Sequence, residues 1–206
     1  ISSFCLFTDR ESISQDYDYL VQRGIQPRYL TSILKLQYNI YQNQYKASSS
    51  GNAVLIYFGH KRSRITLVND WEIVKSRGLF IGLENFGQAY RDASSSIEEA
   101  QEMTHNDIYS VLFQSGLPAV KEDTEEVPED DTEENTSSGN YEKIINSVTS
   151  KFLSEIYATL RNFKTNGMRK SSEFYASGPG TAIPNIVEMI SRSVGKDVKL
   201  LEMPLE

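Results

Sequence analysis

The sequence has 206 residues, 39% of them hydrophobic, and a formal net charge of −7, which is enough chain to bury a core as one large domain or two small ones. Nine acidic residues and one lysine between Lys121 and Glu134 give a local net of −8 and leave about +1 for the rest, so no concentrated basic face is present for nucleic acid as an obligate partner. The single cysteine, Cys5, excludes an internal disulfide and fits a reducing compartment, and no run approaches the roughly twenty apolar residues that span a bilayer.

Ile1 opens the chain without a methionine or a signal peptide, which predicts that an upstream segment is missing. In chain order, Ser3 to Thr8 is predicted as a strand. Thr8 and Glu11 form a capping box for a helix through about Arg23, with Ile13, Tyr17, Leu20 and Val21 on one apolar face and Gly24 as its stop. Gly24 to Tyr29 is predicted as a short extended return, and Thr31 as the cap of a second helix carrying Ile33, Leu36, Ile40 and Tyr41. Together these make a β-α-β-α unit over residues 1–46. The small polar run Ala47-Ser48-Ser49-Ser50-Gly51-Asn52 marks the best domain boundary, so two α/β lobes are expected.

The second unit, residues 51–206, opens with a meander: Ala53 to Phe58, Arg64 to Val68, and Trp71 to Val74 extending toward Ile81, with Asn69-Asp70 as the hairpin turn. Gly82 precedes a helix through about Arg91, and Ser96 with Glu99 caps another around Ile97 to Met103. Residues 121–140 are too charged and too poor in apolar groups to bury surface and are predicted as a disordered acidic loop. Tyr141 to Phe163 is the strongest predicted helix, with Ile145, Val148, Phe152, Ile156, Leu160 and Phe163 at three- and four-residue spacing. Phe174 to Ser177 is a strand, Pro184 sits in the first turn of a helix that Gly195 ends, and Val198 to Leu201 is the last strand.

Two glycine turns stand out, Gly59 with His60-Lys61-Arg62-Ser63-Arg64 and Ser177-Gly178-Pro179-Gly180-Thr181, each directly after an apolar strand. Glycine permits the close approach and positive φ that a phosphate- or base-binding turn needs. Both turns are expected to face one cleft, whose candidate cofactor-binding residues are Gly59, Ser63, Gly178, Gly180 and Thr181. Lys61, Arg62 and Arg64 read as solvated charges at a hairpin tip or as an anion site. His60 and His105 have no Cys or His at ligand spacing, so no metal site is expected. No acid and base pair suggests catalysis.

Asp70-Trp71-Glu72-Ile73-Val74, then Arg77-Gly78-Leu79-Phe80-Ile81-Gly82 and Ser96-Ile97-Glu98-Glu99-Ala100, resemble the pattern of actin-like pilus-assembly proteins of the PilM type. Ser177-Gly178-Pro179-Gly180 through Ile183-Pro184-Asn185-Ile186 resembles that family's closing Ser-Gly-Gly-Gly motif and the helix behind it. The resemblance implies an actin-like (ribonuclease H-like) subdomain with a mixed sheet and flanking helices, preceded by the closing half of a first such subdomain whose opening hairpin is absent. It also implies an aspartate two residues before Gly59, where a carboxylate would manage magnesium or water; this chain has Tyr57.

That departure leaves at most a vestigial ATP site and no enzyme. The expectation is a non-enzymatic cytoplasmic scaffold of a bacterial inner-membrane platform in type II secretion (GspL-like) or type IV pilus assembly, linking a secretion or pilus ATPase to membrane components. The alternative is an ATP-binding PilM- or FtsA-like protein whose site needs the missing upstream half. Phe4, Leu6 and Phe7 of the orphaned first strand further predict that residues 1–46 pack on the second lobe, on another copy of the chain, or on both, with homodimerisation through this region the favoured outcome.

Overall fold

The computed structural model describes residues 10–29, 31–93, 103–117, 136–165 and 167–201. The predicted first strand with Phe4, Cys5, Leu6 and Phe7, the Thr8 and Ser96–Glu99 caps, and residues 121–135 of the acidic loop lie outside the described residues.

Chain order runs α1 (Arg10–Gln22), α2 (Ile33–Tyr45), β1 (Ala53–Tyr57), β2 (Ser63–Asn69), β3 (Glu72–Leu79), α3 (Leu83–Ala93), α4 (His105–Ser115), α5 (Thr136–Thr165), β4 (Glu173–Ser177), a 3-10 turn (Pro179–Ala182), α6 (Ile186–Val194) and β5 (Val198–Leu200). The five strands among the described residues form one sheet in the order β3-β2-β1-β4-β5. β1, β2 and β3 are antiparallel neighbours, and β1, β4 and β5 run parallel. The architecture is α/β with a mixed sheet, as the sequence leads one to expect.

Strand β1 reads Ala-Val-Leu-Ile-Tyr because it lies at the middle of this sheet and is covered on both sides. Val54, Ile56 and the following Phe58 turn to one face with Ile65, Leu67, Phe174 and Ala176, where Phe86 of α3, Leu112 of α4, Phe152 and Ile156 of α5 and Ile190 of α6 close over them. Ala53 and Leu55 turn to the opposite face with Val68 and Tyr175, which α2 covers through Tyr38 and Tyr41. Each large side chain so buried stabilises the fold by roughly 1.5–3 kcal/mol relative to exposure.

Several elements differ from expectation for identifiable reasons. Residues 25–29 form no strand: the Gly24 and Ile25 amides close α1 by bonding to Val21 O and Leu20 O, and Pro27 has no N–H to offer a ladder. Tyr17 and Val21 of the expected α1 core face remain 48% and 41% exposed. The cap of α2 is Ser32, whose Oγ accepts from Lys35 N, rather than Thr31. The buried face of α2 is Leu34, Gln37, Tyr38 and Tyr41, while Ile33 points outward.

The hairpin turn lies at Asp70-Trp71, one residue later than its Asn-Asp pair suggests. Both residues take positive φ, 49° and 65°, as a two-residue loop between right-twisted strands requires. Tertiary contacts enforce this unusual conformation for tryptophan. Trp71 N donates to Gly51 O, the indole stacks on Tyr41, and a Cβ on Gly51 (φ 77°) would lie 2.4 Å from the indole nitrogen.

Helix α5 starts at Thr136, so residues 136–140 of the expected loop are helical. Helix α4 was not expected, although Thr104 and Asp107 form a reciprocal capping box at its start. The two hydrogen bonds from Thr104 hold the Asp107 carboxyl below its usual range. Helix α6 begins at Ile186 behind Asn185 rather than at Pro184, and Gly195 ends it in the left-handed conformation at φ 66°.

The small polar run at residues 47–52 is held by specific contacts. Ser49 Oγ donates to Glu173 Oε2 at 2.6 Å, meets Tyr41 Oη at 2.9 Å and accepts from Gly51 N, and Asn52 Oδ1 accepts from Asp70 N. Tyr41, 0% exposed, stacks on Trp71 and Tyr45 and tilts against Tyr175. Tyr41→Ala is expected to cost about 3 kcal/mol or more in urea unfolding, and to red-shift the emission of Trp71, the chain's one tryptophan.

Burial holds the phenols of Tyr38, Tyr41 and Tyr175 above their ordinary value of 10.0, and the Glu173 carboxylate adds to the effect at Tyr41 and Tyr175. A raised folded-state pKa means that the unfolded chain ionises first. The contribution is therefore complete below about pH 10 and is lost as pH rises beyond it. Urea midpoints are expected to fall steadily above about pH 10 from this cause, with tyrosinate absorbance of these groups appearing together with unfolding.

Candidate functional site

Parallel pairing places the ends of β1 and β4 side by side, with Tyr57 opposite Ser177. Both glycine turns therefore emerge from one end of the sheet, as expected. Past the strands the pairing continues: Phe58 N donates to Ser177 O at 2.8 Å and Gly180 N to Phe58 O at 3.0 Å. The turns are bonded directly to each other.

Alternation along β1 sends Phe58 into the helix-covered core and Tyr57 to the α2 face. The Phe58 ring is 0% exposed and lies against Phe152 at 4.5 Å and Phe86 at 5.4 Å between centroids. The half-buried Tyr57 ring is held edge-on between the turns. A Cβ on Gly59 would stand 2.6 Å from its Cε1, and a Cβ on Gly178 (φ 98°) would stand 2.7 Å from its Cε2. A Cβ on Gly180 would lie 2.3 Å from the Phe58 ring. Closer still, a Cβ would meet Arg62 O at 2.2 Å at Gly59 and Phe58 O at 2.5 Å at Gly178, so the three glycines are accounted for by close approach of the chain's own carbonyls and aromatic rings and, at Gly178, by positive φ. Burial raises the Tyr57 phenol above 10.0, so it is neutral near pH 7 and supplies no charge for a metal ion.

The other expected site residues have internal partners. Ser63 is buried and its Oγ donates to Ile81 O at 2.7 Å; Thr181 Oγ1 donates to Gly178 O at 2.7 Å. The first amides of α3 face the first turn, where Leu83 N donates to Gly59 O and Glu84 N to His60 O. Those helix N-terminal donors, the groups that would hold an anion, are engaged by turn carbonyls. The 3-10 turn separates Gly178 from α6, so no α-helix opens directly on the second turn.

The hairpin-tip cations scatter. Arg62 lies over the Phe80 ring, Arg64 Nη1 donates to Ser76 Oγ, and Lys61 is exposed. His60 and His105 both approach Tyr109, and Tyr109 Oη lies 2.9 Å from His60 Nε2. Among the described residues no group of three or more His, Cys, Asp or Glu could hold a metal ion, and no helix is long and apolar enough to cross a membrane.

The sequence reading did not anticipate Gln37 of α2. It is 2% exposed, its Nε2 donates to Ser177 Oγ at 2.9 Å, and its Oε1 has no hydrogen-bond partner among the described residues. A glutamine among Leu34, Tyr38 and Tyr41 on one helix face was the available signal. Gly180→Ala is expected to cost about 1–3 kcal/mol of stability with no ligand present, because Phe58 is confined by Phe86 and Phe152 and cannot retreat. Urea denaturation measures it, and an unchanged midpoint would contradict the packing role.

No family model and no characterised protein matches the sequence. Solved structures do match the fold. The chain resembles a structure of the PilM-PilN type IV pilus biogenesis complex at TM-score 0.61 and 15% identity, over 93% of this chain and 47% of that one. It resembles MreB 5 of Spiroplasma citri bound to AMPPNP at TM-score 0.61 and 15% identity, over 95% and 60%. An archaeal actin homolog, Ta0583, matches at TM-score 0.54 and 16% identity, over 87% and 52%. The chain spans between about half and three-fifths of the length of these structures. With this sheet order and the two facing turns, the chain has an actin-like fold.

Proposed function

We propose that this chain is a non-enzymatic, actin-like scaffold of a bacterial inner-membrane platform for type IV pilus assembly or type II secretion, on the cytoplasmic side, linking an assembly ATPase to membrane components. The observation that carries the reading is the Tyr57 ring wedged between Gly59 and Gly178. A magnesium-bound nucleotide does not fit these residues: a neutral phenol stands where the resemblance expects a carboxylate, and turn carbonyls engage the first amides of α3. The fold's likeness to a structure of the PilM-PilN type IV pilus biogenesis complex supports the assembly role. Self-association through residues 1–46 belongs to the same proposal.

The competing reading is nucleotide binding completed by an upstream half, and it is favoured by the likeness to MreB 5, which was solved with AMPPNP. Isothermal titration of the longest available chain with ATP and magnesium separates the two. The scaffold reading expects no heat of binding at micromolar concentrations and no phosphate release; micromolar affinity would overturn it in favour of the nucleotide reading.

A further inference from the structure

Tyr57 is held differently from Tyr38 and Tyr41 on the α2 face. Tyr38 donates its hydroxyl to Trp71 O, and Tyr41 meets Ser49 Oγ. The Tyr57 hydroxyl has no hydrogen-bond partner among the described residues. Its ring is located by packing alone, one edge toward Gly59 and the other toward Gly178. Those two glycines belong to different turns, separated by more than a hundred residues of chain.

A ring wedged between two backbones in this way does what a bound ligand does. It fills a slot whose walls come from separate segments and makes the joined arrangement more stable than the open one. The same arrangement reaches α2, since Ser177 faces Tyr57 across the β1–β4 ladder and also accepts from Gln37 Nε2. Ser177 O takes the Phe58 amide, and Phe58 O takes the Gly180 amide. The contacts that join the two turns and the helix therefore all lie within one residue step of the Tyr57 ring or of the residue it pairs with.

We propose that Tyr57 is an intramolecular ligand. The slot between the two turns is a site for a flat aromatic ring, and the chain's own tyrosine occupies it, fixing both turns and α2 in one arrangement with no other molecule bound. The inference rests on the scaffold reading and adds that the surface offered to partners is permanently set rather than switched by a ligand.

Amide hydrogen exchange on the wild type, Tyr57→Phe and Tyr57→Ala tests it, with para-cresol, the tyrosine side chain as a free molecule, as the added ligand. Tyr57→Phe keeps the ring and is expected to match the wild type. Tyr57→Ala is expected to speed exchange of the Phe58 and Gly180 amides about tenfold or more, and millimolar para-cresol to reverse this in the variant while leaving the wild type unchanged. Equal exchange in Tyr57→Ala and the wild type, or no response of the variant to para-cresol, overturns the proposal. Where Tyr57→Ala does not fold, Tyr57→Val carries the same comparison with the same outcomes. ATP binding by the wild type would instead defeat the scaffold reading, so the two failures are distinguishable.

Discussion

Burial of β1 on both faces is the constraint on which the rest of this structure depends. A strand at the middle of a five-stranded sheet must be apolar on both sides, so it needs helices on one face and α2 with its aromatic partners on the other. Register then decides the site. Because side chains alternate, the last residue of β1 and the one after it separate, Tyr57 toward α2 and Phe58 into the core. A one-residue slip would exchange them. Parallel pairing with β4 brings the second glycine turn to the same end, and the rings of Tyr57 and Phe58, together with Arg62 O and Phe58 O, then leave room only for glycine at three positions around them.

What was legible in the sequence follows the same physics. The strands of the sheet and the helix through Phe163 announced themselves because their apolar residues recur at strand or helix spacing over many positions. The pairing of the two glycine turns was legible from their place after apolar strands. Elements set by tertiary contact were not. The turn lies one residue later because Asn52 Oδ1 takes the Asp70 amide while Gly51 and Tyr41 hold Trp71 in a conformation its own preferences disfavour. Of the expected α2 face, Tyr41 is buried and Ile40 packs beside it, while Leu34, Gln37 and Tyr38 are selected by the sheet in place of Ile33 and Leu36, which hydrophobic count alone favours. Helix α4 lacks a long periodic run, and its capping box was the signal to use.

The candidate site shows how the same residues support different chemistry according to what surrounds them. Glycine next to an open, acid-lined cleft leaves room for a phosphate; glycine next to Tyr57 and Phe58 leaves room for an aromatic ring. The amides at the start of α3, which would otherwise face an anion, bond to Gly59 O and His60 O. Arg62 and Arg64 lie against Phe80 and Ser76 rather than converging on one point. Each of these contacts is local and modest. Together they explain why an actin-like fold can persist with its two turns bonded to each other.

The central claim, that the chain's own aromatic rings close the two-turn cleft, is most directly tested by a crystal structure of the chain grown with excess magnesium and AMPPNP. The account predicts the Tyr57 ring between Gly59 and Gly178, the Gly180 amide bonded to Phe58 O, and no nucleotide between the turns. A nucleotide seated between the turns with the Tyr57 ring swung out toward solvent would contradict it.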